Sequence, residues 1–223
     1  MKLYSGPLSL FSRKVEIALA EKGLAFEREM VPFSQARGYQ PKHPVVLAAN
    51  PKRQVPVLVD GELTLFDSTV ILEYLEDAYP RPRLYPESAA EAARCRLLEL
   101  TGDEILMPLV RQFMHRSEPA DPDPERRRRQ EEGAERAATE LAAHYGELDR
   151  RLDGRTYFCG DLSVADIALF MTILFALRLK GPRLDGHPRL AAWYQRMSAR
   201  PAVAKVAAEI AAADRELSPA LFG

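Results

Sequence analysis

The chain of 223 residues is poor in the residues that most often announce chemistry: it has two cysteines, four histidines and one tryptophan. Cys95 and Cys159 stand too far apart in sequence for a zinc or dithiol motif, and they read as free buried thiols in a reducing setting. His43, His115, His144 and His187 show neither i, i+4 pairing nor CxxC company, so no metal site is expected. Neither GxGxxG nor a GxxxxGKS-type loop occurs, which removes motif support for a nucleotide fold. No apolar run approaches the ~18–20 residues needed to cross a bilayer. No basic-then-apolar leader opens the sequence, so the expected location is cytoplasmic and away from membranes. The formal net charge of -1 offers no global attraction to nucleic acid or to an anionic membrane.

What remains is an ordinary globular balance, 47% apolar and 28% charged, in a length that suggests one or two domains. The first eighty or so residues mix strand and helix signals. "KLYS" is a short strand candidate. "SRKVEIALAEKG" carries Val15, Ala18 and Leu19 on one helical face, with Lys22 near the end and Gly23 as a stop. "AFEREMV" alternates as a half-buried strand should. Strand, helix and strand with short links make a βαβ unit with parallel strands. An irregular stretch holding Pro32, Gly38, Pro41 and Pro44 follows. In "VPVLVDGELTLFDS" two strand-like runs flank Asp60-Gly61, a type I′ hairpin signal. "STVILEYLEDAYP" then reads as a helix ended by Pro80. The pattern predicts a small mixed sheet over residues 1–80 with helices on both faces.

"PRPRLYPES" is a proline-rich break, so residues 81–88 read as a linker and 89–223 as an all-α domain. Pro108 should kink or divide a helix in "DEILMPLVRQFMHR". "EPADPDPE" is a turn before a long helix running to about Leu152. In "LSVADIALF", Ser163 is placed as an N-cap, Asp166 at N3, and Leu162 with Ile167 as a hydrophobic staple. The arginine run Arg126–Arg129 is interleaved with acidic residues from Asp121 to Glu135, which describes a solvated helix face rather than a nucleic-acid stripe.

Three local features could carry chemistry. In "QVPVL", a proline at a strand mouth removes a ladder donor; a cis Val55–Pro56 bond would leave the polar groups of Val55 facing outward, ready for an extended peptide. In "FDSTVI", Ser68 is placed as an N-cap, where the free N–H groups of a helix start suit a carboxylate, and Asp67 beside it suits an ammonium. In "LYSGPLSLFSRK", Ser12 is the expected helix cap and Ser9 a loop hydroxyl without capping duty, free to point at a ligand. A thiol there, with an ordinary pKa near ~8.5, could be lowered by roughly two units, worth about 2.7 kcal/mol.

With these motifs in this order, the chain resembles the cytosolic glutathione transferases over nearly its whole length. The resemblance rests on "SLFSRKVEIALAEKG", "NPKRQVPVLVDGELTLFDSTVILEYL" and "GDLSVADIALF". It implies a thioredoxin-like N-terminal domain (βαβ-α-ββα), a helical-bundle C-terminal domain, a homodimer, and glutathione as co-substrate without a further cofactor. By similarity to the serine-type classes (theta, zeta, phi, tau), the catalytic serine falls on Ser9. The tyrosine of other classes would fall on Ser5 and the cysteine of the beta class on Phe11. Val55, with Pro56, would pair with the cysteinyl backbone of glutathione. Asp67 and Ser68 would hold its γ-glutamyl end, and Gln54 and Lys42 match positions that reach the glycyl carboxylate. The implied reaction is attack of the glutathione thiolate on a small electrophile. Met107, Leu109, Val110, Phe113 and Met114 are candidate walls of the acceptor pocket.

The opening is also similar to the stringent starvation protein A family, transferase-shaped partners of RNA polymerase without transferase activity. Ser9 stands where that family tends to carry an acidic residue, and "PRPRLYP" matches its proline-histidine-proline surface only in part. Relatives that reduce disulfides or dehydroascorbate usually place a cysteine in the N-terminal loop, and none precedes Cys95 here.

Overall fold

"KLYS" forms β1 (Lys2–Ser5) in the computed structural model, which describes residues 1–222. The helix that follows, α1 (Leu10–Glu21), returns the chain to β2 (Glu27–Met30), which pairs parallel to β1. Gly23 has φ 67, the left-handed geometry that ends helices most cheaply when no Cβ is present. The irregular stretch contains one short helix, α2 (Pro44–Ala49). Then β3 (Val57–Asp60) and β4 (Leu63–Phe66) form an antiparallel hairpin, with β3 also antiparallel to β1. The sheet order is β2-β1-β3-β4, and α3 (Ser68–Ala78) follows directly.

Side chains alternate across this sheet. Leu3 and Leu58 pack with Val15 and Leu19 of α1 and Ile71 and Leu75 of α3. Their strand neighbours Tyr4 and Val57 turn to the other face and meet Val31 and Val46 of the α2 side. Helices therefore cover both faces, as the pattern predicts. The hairpin turn differs by one residue from expectation. Asp60 is still paired, opposite Leu63, so Gly61 and Glu62 form the turn; only Gly61 has positive φ (59), which fits a type II′ turn rather than I′.

The chain divides into two compact units, Met1–Leu84 with Pro201–Leu217, and Tyr85–Arg200 with the residues from Ser218 on. The second unit holds α4 (Ala89–Leu100), a π-helical stretch Thr101–Leu106, α5 (Met107–Arg111), α6 (Pro124–Arg151), α7 (Val164–Arg178) and α8 (Pro188–Ser198). Pro108 sits in the first turn of α5, so the helix does divide there. At the start of α7, Asp166 Oδ2 accepts from both the N–H and the hydroxyl of Ser163, at 3.0 and 2.9 Å. Its Oδ1 accepts from Phe158 N–H and from Trp193 Nε1, at 3.1 and 2.9 Å. One buried carboxylate thus caps α7 and ties α8 and the preceding turn to it.

The final helix, α9 (Pro201–Leu217), was expected in the helical domain but packs with the first unit. Its Glu209 carboxylate accepts from Arg13 of α1 at 2.7 Å and from Arg28 of β2 at 2.5 Å. The same two guanidiniums meet Glu16 Oε2, each at 2.8 Å. Residues 81–84 of the expected linker are also held down. Lys22 Nζ donates to the carbonyls of Tyr79 and Pro82, and Leu84 N–H donates to Glu76.

Candidate functional site

Strand register brings the three chemically suggestive loops to one end of the sheet. Tyr4 lies opposite Val57, and Val57 lies opposite Phe66. The loop after Ser5, the Val55–Pro56 entry to β3 and the Asp67–Ser68 start of α3 therefore leave the sheet side by side.

Ser9, not Ser12, caps α1. Its Oγ accepts from the Ser12 N–H at 3.3 Å and from the Ser12 hydroxyl at 3.0 Å. The helix begins one turn earlier than expected because Leu10 is buried and adds packing to the first turn. Both contacts load the acceptor side of Ser9 Oγ, so its own proton is uncommitted among the described residues. The neighbouring serines are spent. Ser12 is fully buried, and Ser5, also fully buried, donates to Glu16 Oε1 at 2.5 Å. Of the three hydroxyls in this loop only that of Ser9 reaches the surface.

Val55 precedes Pro56 through a cis peptide bond and makes no backbone hydrogen bond among the described residues. The approach to it is shaped by Asn50, whose Oδ1 accepts from Lys52 N–H at 2.9 Å while its Nδ2 donates to the Gln54 carbonyl at 2.7 Å. At α3 the cap is Asp67 rather than Ser68: Asp67 Oδ1 accepts from Thr69 N–H at 3.1 Å, and Ser68 is the first helical residue, buried. Asp67 has φ 73, a region that a side chain makes costly by about 1–3 kcal/mol. Its second oxygen faces only the exposed Lys52, at 3.6 Å. Lys42 lies over the Tyr39 ring, and Tyr39 packs on Gly6 so closely that a Cβ there would fall 2.3 Å from its hydroxyl. Gln54 is exposed.

Two family patterns match the chain. The glutathione S-transferase N-terminal domain covers residues 3–83 and the glutathione S-transferase C-terminal domain residues 99–201. The chain belongs to the glutathione S-transferase family. It is 34% identical to a stringent starvation protein A homolog of Coxiella burnetii, over 86% of this chain and 81% of that one. It is 30% identical to glutathione S-transferase 2 of Saccharomyces cerevisiae, over 92% and 89%. The crystal structure of a glutathione S-transferase from Rhodospirillum rubrum superposes with a TM-score of 0.77 at 30% identity, covering 92% of this chain and 90% of that one. The architecture is accordingly that of a glutathione S-transferase, a thioredoxin-like domain followed by a helical domain.

Within this member of the family, sequence reasoning missed the ion network under the Ser9 loop. Arg13 and Glu16 are almost wholly buried, and Arg13 also donates to the Pro7 carbonyl at 3.3 Å. The i, i+3 spacing of Arg13 and Glu16 was visible, but nothing local announces that Arg28 and Glu209 complete the set. Burial disfavours the Glu209 carboxylate, yet the guanidiniums of Arg28 and Arg13 outweigh it and hold its pKa below the usual range. Of the candidate acceptor walls, Met107, Val110 and Phe113 are buried, Leu109 is half-buried and Met114 is exposed. Among the described residues no group of three or more His, Cys, Asp or Glu could hold a metal ion, and no helix is long and apolar enough to cross a membrane.

Proposed function

We propose that this chain is a glutathione transferase in which Ser9 donates a hydrogen bond to the sulfur of bound glutathione and holds it as a thiolate. The observation that carries the reading is the state of Ser9 Oγ: two donors from Ser12 occupy its acceptor side, so the free proton is what it has to offer. Sitting at the first turn of α1, it adds a donor to the partial positive charge of a helix start. The unpaired backbone of Val55 would take the cysteinyl main chain in strand-like hydrogen bonds, with Pro56 setting the entry to β3. Asp67 would exchange its long contact with Lys52 for the glutamyl ammonium, and the start of α3 with Ser68 would take the carboxylate beside it. The strain at Asp67 is consistent with a residue held for a ligand rather than for the helix alone. Gln54 and Lys42 would reach the glycyl end.

The reaction is a thiolate transfer. The sulfur forms a bond to an electrophilic carbon of a small acceptor, whose leaving group or π electrons take the displaced pair, while Ser9 keeps its proton. Positioning and desolvation do most of the work. Titration of the thiolate absorbance of bound glutathione tests the proposal. The expected pKa is roughly two units below that of a free thiol near ~8.5. Return of that pKa to the free value in Ser9→Ala supports the role; an unchanged pKa ends it.

The similarity to a stringent starvation protein A homolog favours a second reading, a non-catalytic partner of RNA polymerase. Retention on immobilised glutathione together with conjugation of a chloronitrobenzene selects the enzyme. Failure of both, with co-purification of RNA polymerase, selects the partner.

A further inference from the structure

The loop that leads into β3 turns on one side chain. Asn50 ends α2 and is only 3% exposed, while Pro51, Lys52, Arg53 and Gln54 after it are all exposed. Each of its polar atoms is engaged. Its N–H donates to the Val46 carbonyl at 3.0 Å, and its own carbonyl accepts from Arg53 N–H at 2.8 Å. The side-chain Oδ1 accepts from Lys52 N–H at 2.9 Å, and Nδ2 donates to the Gln54 carbonyl at 2.7 Å. A donor facing one end of the carboxamide and an acceptor facing the other leave it a single orientation.

A turn alone does not need all of this. The bond from Lys52 N–H is the Asx turn by which an asparagine reverses the chain, and the Asn50 carbonyl closes a second turn onto Arg53. Arg53 has φ 57, a left-handed backbone that a side chain makes costly. The Gln54 carbonyl is thereby brought back to Asn50, where Nδ2 takes it. The consequence falls on the other end of that peptide. The Gln54–Val55 bond is trans, so its carbonyl and its N–H point in opposite directions within one plane. With the carbonyl drawn inward to Asn50, Val55 N–H is turned away from the inside of the loop, and it has no backbone partner among the described residues.

We propose that Asn50 is a positioning residue for glutathione: it sets the Gln54–Val55 peptide plane so that Val55 N–H meets the cysteinyl carbonyl. The inference rests on the glutathione reading and adds to it a residue that acts through Val55. A carboxylate cannot give the same service. In Asn50→Asp the bond from Lys52 N–H survives, but the second oxygen faces the Gln54 carbonyl, two acceptors with no hydrogen between them. The peptide then gains by turning over. Val55 N–H goes to the carboxylate, and the Gln54 carbonyl is left facing the ligand, where it repels the cysteinyl carbonyl.

Calorimetry with S-hexylglutathione, which has no thiol for Ser9 to act upon, separates this contact from the Ser9 role. Asn50→Asp should bind the analogue about tenfold more weakly than wild type, and no better than Asn50→Ala, although it alone keeps the Lys52 bond. In conjugation assays its KM for glutathione should rise by the same factor, while kcat and the pKa of the bound thiol stay at their wild-type values. A residue that merely braced the loop would rank the other way, with aspartate milder than alanine. A measurement on the wild-type chain needs no variant to fold: the Val55 amide should exchange quickly in the free chain and become protected when S-hexylglutathione binds. Wild-type affinity in Asn50→Asp, a milder effect of aspartate than of alanine, or a Val55 amide already protected without ligand overturns the role of Asn50 and leaves the transferase reading standing. A wild-type chain that binds neither glutathione nor S-hexylglutathione removes that reading, and this inference with it.

Discussion

At the scale of single residues, Ser9 has two separable duties. As the cap of α1 it satisfies an otherwise free N–H, and as a donor it would serve the bound sulfur. Ser9→Ala should lose both, with about 1 kcal/mol of stability from the missing cap. Ser9→Asp retains a capping oxygen but has no proton to give and places a negative charge beside the sulfur. Its thermal midpoint should therefore stay near wild type while conjugation falls at least as far as in Ser9→Ala, roughly tenfold to a hundredfold for one lost charge-assisted donor. If Ser9→Asp conjugates as fast as wild type, the donor role is gone. That these duties fall on one atom was not legible in the sequence: Ser12, directly before the periodic run, reads as the cap and Ser9 as a free loop hydroxyl, and burial of Leu10 moves the start of the helix back to Ser9.

Asp60 makes a second argument at this scale. It accepts from Tyr79 at 2.6 Å and from Tyr74 at 2.8 Å, and these bonds hold its pKa below the usual carboxylate value. Its contribution is present above the unfolded pKa of about 4 and is lost as acid drives the pH down through the lower folded value. Tyr74, raised to about 12 chiefly by its bond to Asp60, has the opposite sign. Its contribution is complete below an unfolded pKa of about 10 and disappears as pH rises through the folded value. Unfolding midpoints followed across pH should fall at both extremes. In Asp60→Asn the acid limb should be shallower, and an ultraviolet phenol titration should move Tyr74 back toward an ordinary tyrosine. An unchanged phenol titration would show that the bond does not persist in solution.

At the scale of elements, what was legible was what neighbours in sequence encode. β1, the β3–β4 hairpin, α3, the break at Pro108 and the capping box of α7 all follow from turn residues, periodicity and caps within a few positions. The errors were slips of a residue or a turn, where two candidates compete. At α3 the cap is Asp67 because its side chain reaches Thr69 N–H from a left-handed backbone that no propensity scale favours. In the hairpin, pairing of Asp60 with Leu63 moved the turn onto Gly61 and Glu62. The capping box of α7 also does more than its motif promises, since Asp166 accepts from Phe158 and Trp193 as well. Asp166→Ala would strand those buried donors, and the expected cost is about 3–5 kcal/mol, seen as a lowered midpoint in chemical unfolding. A cost under about 1 kcal/mol would mean that water replaces the carboxylate and that the cap is local only.

At the scale of the whole chain, the feature hidden from sequence reading is the return of α9 to the first unit. Its warrant is a four-membered alternation of charge, with Arg13 and Arg28 each shared between Glu16 and Glu209. Glu16 and Arg13 are almost fully buried, whereas Arg28 and Glu209 keep about a third of their side chains in water. Loss of Glu16 would leave Arg13 buried with one carboxylate fewer and would free the Ser5 hydroxyl as well, so Glu16→Ala is expected to cost about 3–5 kcal/mol. Glu209→Ala removes a more solvated partner and should cost less, roughly 1–2 kcal/mol, with the deficit depending on salt. The ranking matters because the network also reaches the Pro7 carbonyl, in the loop that carries Ser9. If it stiffens that loop, Glu209→Ala should raise the KM for glutathione as well as lower stability, although no atom of Glu209 belongs to the proposed binding set. Equal destabilisation by the two substitutions, or a KM that does not move, would reduce α9 to a packing element with no reach into the Ser9 loop.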